Sequence, residues 1–338
     1  MNRVDRIRGV LFGTAIGDAL GLPFEGMTGR AIARRYAALD RYRMLGDVGI
    51  VSDDTEQTAL VAQCLARHPR DREKFVRAFR FALLGWFLRL PWGIGWATLR
   101  ACVRIGLGFT RSGVASAGNG AAMRAAIVGA FFSDAAEERR AWSDALAEIT
   151  HTDARATEAA RFVAEVTALS MSGGRREAIL GDAITVVAND QLKRALKHAI
   201  ALGLSDVDPA TATKEIGTSG FAIHSVPLAT FAFVRFGHDP IEAIRAAVRA
   251  GGDTDSNAAI VGAWVGAHRG ASEFPRELIE RLQPGPFGRA HLERLATALE
   301  AARESPRSEG YFWPLALVRN LALFPIVLAH ACKVLVLR

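Results

Sequence analysis

Apolar residues return every three or four positions through most of this chain, a spacing that predicts amphipathic helices. The clearest runs are Thr55 to Ala66, Arg72 to Phe87, Gly120 to Phe132, Arg155 to Ser170, Leu192 to Leu202, Pro240 to Ala250 and Ala258 to His268. Alternating β-branched runs closed by hairpin turns do not appear, so the predicted fold is all-α. Turn residues separate the helices at Pro91-Trp92-Gly93, Gly173-Gly174, Gly251-Gly252 and Pro284-Gly285-Pro286. These breaks are short and suit helix connections, so residues 1–305 are expected to form one domain.

Ser305 to Gly310 reads as a polar hinge, and residues 306–338 as a separate, apolar helical tail. Its longest stretch without a charged or strongly polar residue, Leu321 to Ala329, is well short of the ~20 residues a bilayer requires, which argues against a simple span. On a helical wheel Arg319, His330 and Lys333 share one side, with Asn320 and Arg338 adjacent, and Pro325 is expected to kink the helix. Packing over the protein's own core or a partner chain is one reading of residues 311–338; a peripheral helix in a membrane interface is the other.

Composition adds little to this picture. Half of the 338 residues are apolar and 23% are charged, as in ordinary globular chains. The net charge of +7 favours anionic partners, but the arginines are spread along helices without interleaved aromatics, so there is no strong nucleic-acid signal. Cys64, Cys102 and Cys332 form no CxxC pair, which points away from a disulfide framework or thiolate zinc and towards a reducing cytoplasm. The start, Met1 to Gly21, has the charge pattern of a signal peptide, yet Gly13, Gly17 and Asp18 interrupt it, and it is read as the opening of the domain.

Ser52-Asp53-Asp54-Thr55 places two carboxylates between hydroxyls at a helix start, and Gly251-Gly252-Asp253-Thr254-Asp255-Ser256 does so again. Such oxygen-rich sets suit hard divalent ions such as magnesium, whereas zinc would call for His or Cys; capping and turn chemistry is the competing account. Gly17 to Glu25 adds a third acidic element, and Gly118-Asn119-Gly120 opens a helix whose free N–H groups would suit an anion. His151, in Thr150-His151-Thr152-Asp153, reads alone as a cap partner, and Phe221, in Ser219-Gly220-Phe221, as a core residue.

Taken in order, GDALGLPFE, SDDT, GNGAAMR, THTD, SGF and GGDTDS resemble the ADP-ribosylglycohydrolase family from Gly9 to about His268. The resemblance implies an orthogonally packed helical domain with two magnesium or manganese ions at the base of a cleft. It implies Ser52, Asp53, Asp54, Asp253, Asp255 and Ser256 as metal ligands, and Glu25 or Asp54 as the catalytic carboxylate. Gly118, Asn119, Gly120 and His151 would contact diphosphate and ribose, and Ser219, Gly220 and Phe221 would lie near the adenine. Ser52 and Ser256 stand where many relatives have Thr. The implied reaction is hydrolytic release of ADP-ribose from a modified protein or related conjugate, with a non-catalytic binding or immunity protein as the rival.

Overall fold

The computed structural model describes residues 2–337. Among these the helices are, in chain order, α1 (Arg3–Gly21), α2 (Gly29–Arg35), α3 (Asp53–Arg67), α4 (Arg72–Phe87), α5 (Trp96–Gly106), α6 (Ala126–Phe131), α7 (Ala136–Glu148), α8 (Ala154–Ser170) and α9 (Arg176–Ala183). They continue with α10 (Asp190–Leu204), α11 (Pro209–Ile216), α12 (Ala222–Phe236), α13 (Pro240–Ala250), α14 (Thr254–Arg269), α15 (Arg276–Glu280), α16 (Arg289–Ala301) and α17 (Trp313–Leu337). Extended pairing among the described residues is limited to isolated bridges, so the chain is all-α.

The fold is organised around α1 and α14. Gly9, Gly13, Gly17 and Gly21 recur every fourth residue and therefore share one face of α1. A Cβ at these positions would lie 2.1 Å from the Gly266 carbonyl oxygen, 2.0 Å from that of Gly262, 2.1 Å from that of Ala258 and 2.4 Å from that of Thr254. Only glycine permits this backbone-to-backbone approach. Helices α3, α6 and α16 pack around α1, and α8, α12 and α13 around α14. Although α1 is long and apolar enough for a membrane span, it is a core helix, 94% buried over its most apolar window.

All the predicted helices are present except that Gly120 to Phe132 is not continuous. Asn119–Ala121 forms a 3-10 turn, and α6 begins only at Ala126. The Asn119 carbonyl accepts from both Ala122 and Met123, and the tightened chain buries Arg124 against Gln57 and Thr150.

Helix α17 lies against the domain in an unusual orientation. Trp313 Nε1 donates to the Gly85 carbonyl (2.7 Å), Asn320 Nδ2 to that of Arg89 (2.9 Å), and His330 Nε2 to that of Pro23 (2.8 Å). The Arg319 guanidinium pairs with Glu56, which also receives Trp86 Nε1 and Arg89. Leu323 joins Leu22, Met44, Ile50 and Trp92 in a small apolar cluster. The stripe read from the wheel thus turns Arg319 and His330 inward, with Lys333 exposed at its border. Pro325 sits inside the helix, which continues to Leu337.

Candidate active site

The fold brings three acidic segments to one place. A single 3-10 turn, Leu22–Phe24, ends α1 and presents Glu25. That loop is tied to the segment before α14: Gly26 N–H donates to the Gly252 carbonyl and Gly252 N–H to that of Met27, each at 2.8 Å. Gly251 and Gly252 have φ of 77° and 79°, and a Cβ on Gly252 would meet the Thr218 carbonyl at 2.1 Å, so this bend requires its double glycine. The carboxylates of Glu25, Asp253 and Asp255 each offer an oxygen within 4.8 Å of the others.

The third segment is the start of α3. Ser52 caps it, its hydroxyl accepting from Asp54 N–H, and its backbone N–H in turn donates to Asp18 (3.0 and 2.9 Å). Asp18 also accepts from Thr55 N–H (3.1 Å) and Thr55 Oγ1, so one fully buried carboxylate of α1 fixes the turn bearing Asp53 and Asp54. Ser256 Oγ donates to Asp54 Oδ2 (3.1 Å), closing the link between α14 and α3.

Among the described residues, none of Asp18, Glu25, Asp53, Asp54, Asp253 and Asp255 pairs with a Lys, Arg or His within 4.0 Å. Burial raises the pKa of each above the ordinary carboxylate range. Glu25 rises to about 7, through burial and then the charges of Asp253 and Asp18, and Asp18 rises to about 6 despite its hydrogen bonds. Asp53, Asp54 and Asp255 are raised well above the usual value, by burial first and then by neighbouring carboxylates, led by Asp18 at Asp53, Asp53 at Asp54 and Glu25 at Asp255. Asp54 Oδ1 is buried without a hydrogen-bond partner. Clustered carboxylates and an orphaned oxygen fit bound divalent cations, which would supply the missing positive charge and oxygen-directed coordination.

A cleft of about 520 Å³ rises above these groups. Asn119 Nδ2 donates to Asp253 Oδ2 (2.6 Å) and Ser225 Oγ (3.0 Å), while Ser225 passes its own proton to the Ser219 carbonyl (3.0 Å). His151 is positioned by a buried relay: Gln57 joins Asp53 to Arg124, and Arg124 donates to Thr150 Oγ1, which lies 2.8 Å from His151 Nδ1. Arg124 can only donate, so the Thr150 proton is free to reach Nδ1, leaving the His151 N–H at Nε2, beside Gly118 and Gly120. Burial and Arg124 lower the His151 pKa to about 3, so the ring is a neutral donor.

The cleft is lined by Glu25, Asp53, Gly118, Asn119, Gly120, His151, Ser219, Gly220, Phe221, Asp253, Asp255 and Ser256 from the sequence-derived set. Ser52 and Asp54, the two others, are buried beneath its floor. Phe221, by pattern a core residue, is instead 54% exposed at the cleft. Sequence reasoning missed Trp96, 76% exposed on the same cleft, and the Gly93 and Gly95 turn before it. It also left Asp18 and the Gln57–Arg124–Thr150 relay without a role, although Asp18 lies in the GDALG run already singled out for its acid.

The ADP-ribosylglycohydrolase family profile matches residues 1–309, ending before α17. The chain is 33% identical over 304 residues to an uncharacterised protein of Archaeoglobus fulgidus, covering 87% of this chain and 96% of that protein. It is 26% identical to the ADP-ribosylarginine hydrolase Tri1 of Pseudomonas putida (88% and 78% covered) and 26% identical to the ADP-ribosylhydrolase ARH3 of Gallus gallus (80% and 87% covered). A solved ADP-ribosylglycohydrolase-related protein complex aligns with a TM-score of 0.67 at 27% identity, covering 89% of this chain and 98% of that one.

Proposed function

Because the chain belongs to the ADP-ribosylglycohydrolase family, we propose that it releases ADP-ribose from an ADP-ribosylated protein side chain or related conjugate, in a metal-dependent hydrolysis at the anomeric carbon of the distal ribose. The observation that carries this reading is the meeting of Glu25, Asp253 and Asp255 within 4.8 Å under a cleft large enough for a nucleotide sugar. Asp253, Asp255 and Ser256 from one side, and Ser52, Asp53 and Asp54 from the other, would hold two magnesium or manganese ions. Bound there, the ions would orient ribose hydroxyls and acidify a water.

The chain's own groups do the rest. Glu25 opens onto the cleft, although the surrounding acidic segments desolvate its carboxyl, whereas Asp54 is buried below the floor, which favours Glu25 as the carboxylate that takes the attacking water's proton and returns it to the departing acceptor atom. Neutral His151 offers its Nε2–H to diphosphate oxygens, whereas the expected anion site on the turn is narrowed because the Gly118 and Asn119 N–H groups already donate to Ser116 Oγ and the Gly220 carbonyl; Phe221 and Trp96 offer aromatic faces to adenine. Three unpaired cysteines fit a reducing, cytoplasmic setting.

Chelation with EDTA is expected to abolish release of ADP-ribose, and magnesium or manganese to restore it. Full turnover after exhaustive chelation would overturn the metal assignment. For adenine recognition, Phe221→Ala and Trp96→Ala are each expected to weaken ADP-ribose binding about tenfold, since stacking on one base contributes roughly 1–3 kcal/mol. Calorimetry showing unchanged affinity in either variant removes that ring from the adenine site.

A further inference from the structure

The outward side of α17 is the inverse of an ordinary surface helix. Its polar residues Arg319, Asn320 and His330 bond the domain, while Val318, Leu321, Phe324 and Leu328 are 53–60% exposed. Only 17% of the helix's most apolar window is buried, at a mean hydropathy of 1.8. No charged residue lies on this outer row, and residues 312–337 hold no acid at all. The ridge from Val318 to Cys332 is about 21 Å long at 1.5 Å per residue, longer than scattered surface leucines would explain.

The apolar surface does not stop at α17. Trp313 is bonded to Gly85 of α4, and Phe81 and Leu88 lie four residues before and three after it, on the same helical face, both exposed. Beyond Phe81 a groove lined by Arg72, Arg77, Ile105 and Phe109 continues the patch onto α5. Residues 70–111 contain nine basic and two acidic side chains, a surplus equal to the +7 of the entire chain. Arg89 among them is buried against Glu56, and the other eight bases leave a surplus of six positive charges on the segment bordering the exposed apolar face.

We propose that this face docks on an anionic membrane surface, with α17 lying in the interface, its apolar ridge among the acyl chains and the arginines of α4 and α5 against lipid phosphates. Apolar insertion combined with basic attraction is the pairing that holds interfacial helices to acidic bilayers. A second copy of the chain suits the face poorly, because it would bring the same basic segment against itself. The inward hydrogen bonds of Arg319, Asn320 and His330 keep α17 on the domain during docking, so the cleft would be held at a fixed distance from the lipid.

The test is flotation of the full chain with vesicles of phosphatidylcholine alone and of phosphatidylcholine with 30% phosphatidylserine, at low and at 0.5 M salt. The expected result is co-flotation with the anionic vesicles, reduced by salt, and at least about a hundredfold weaker partition for Val318→Glu with Phe324→Glu. Those positions face solvent, so the variant should keep its circular dichroism and thermal midpoint; Leu321→Glu with Leu328→Glu serves as a second pair on the same ridge. Absence of flotation on both vesicle types, binding unaffected by lipid charge, or wild-type flotation by both double variants would each overturn the proposal. So would a dimer in sedimentation equilibrium that the double variants convert to monomer, because a second copy would then be the occupant. Since the readout is vesicle binding, failure here leaves the hydrolase assignment untouched, and an inactive but floating protein leaves this one standing.

Discussion

Asp253→Asn and Asp255→Asn are each expected to lower ADP-ribose release by more than about a thousandfold, a loss of about 4 kcal/mol of transition-state stabilisation, while the protein stays folded. A carboxamide keeps the size of the side chain but removes the charge that attracts a hard dication. Burial raises the pKa of both carboxylates, and the charges of Glu25 and Asp253 raise Asp255 further, so neutralising either removes an unfavourable buried charge from the metal-free protein. The thermal midpoint without metal should therefore hold or rise, whereas its increase on adding magnesium should shrink. Glu25→Gln supplies the contrast: turnover is expected to fall by about a hundredfold or more with metal stoichiometry unchanged, the outcome that the proposed proton-carrying role requires. Calorimetry with magnesium beside a turnover assay separates the two classes. Near-normal turnover in both Asp variants would reduce the GGDTDS segment to a turn and helix cap.

Gly262→Ala is expected to destabilise the fold by about 3 kcal/mol or more and to lower the thermal midpoint by roughly 5 °C or more. Its Cβ would sit 2.0 Å from the Gly13 carbonyl oxygen, so two backbones must separate, and with them the elements holding Asp18 and Asp255. Gly181→Ala in α9 is the matched control. No atom lies within 4 Å of its new methyl, and the gain in helix propensity should stabilise the protein by up to about 1 kcal/mol. Equal shifts in the two variants would show that close packing is not what selects glycine on α1 and α14.

Helices with one apolar side, such as α4, α10 and α13, were legible because their periodicity contrasts core with solvent. α1 gave no such contrast: it is buried on nearly every side, and its packing face is written in glycines, which carry no hydrophobic signal. The two acidic clusters were legible as chemistry because neither a cap nor a turn requires so many carboxylates. Their partners were not. Asp18 has meaning only once Ser52 and Thr55 are brought to it from 34 and 37 residues away. The Arg124 relay spans 67 residues to Gln57, beyond any local pattern. The inward direction of Arg319 and His330 likewise depends on Glu56 and the Pro23 carbonyl, since a wheel sorts residues into sides without showing which side meets protein.

The glycine ladder also dictates an order of events during synthesis. Gly9 closes on Gly266, 257 residues later in the chain, and nothing nearer in sequence supplies that backbone surface. A ribosome must therefore emit almost the whole domain before α1 finds its mate, leaving the glycine face of an apolar 19-residue helix uncovered meanwhile. Contacts this distant slow folding and prolong exposure of sticky intermediates. Truncations ending before α14 would then aggregate or recruit chaperones instead of forming a smaller native domain, even though they retain Asp18, Asp53 and Asp54.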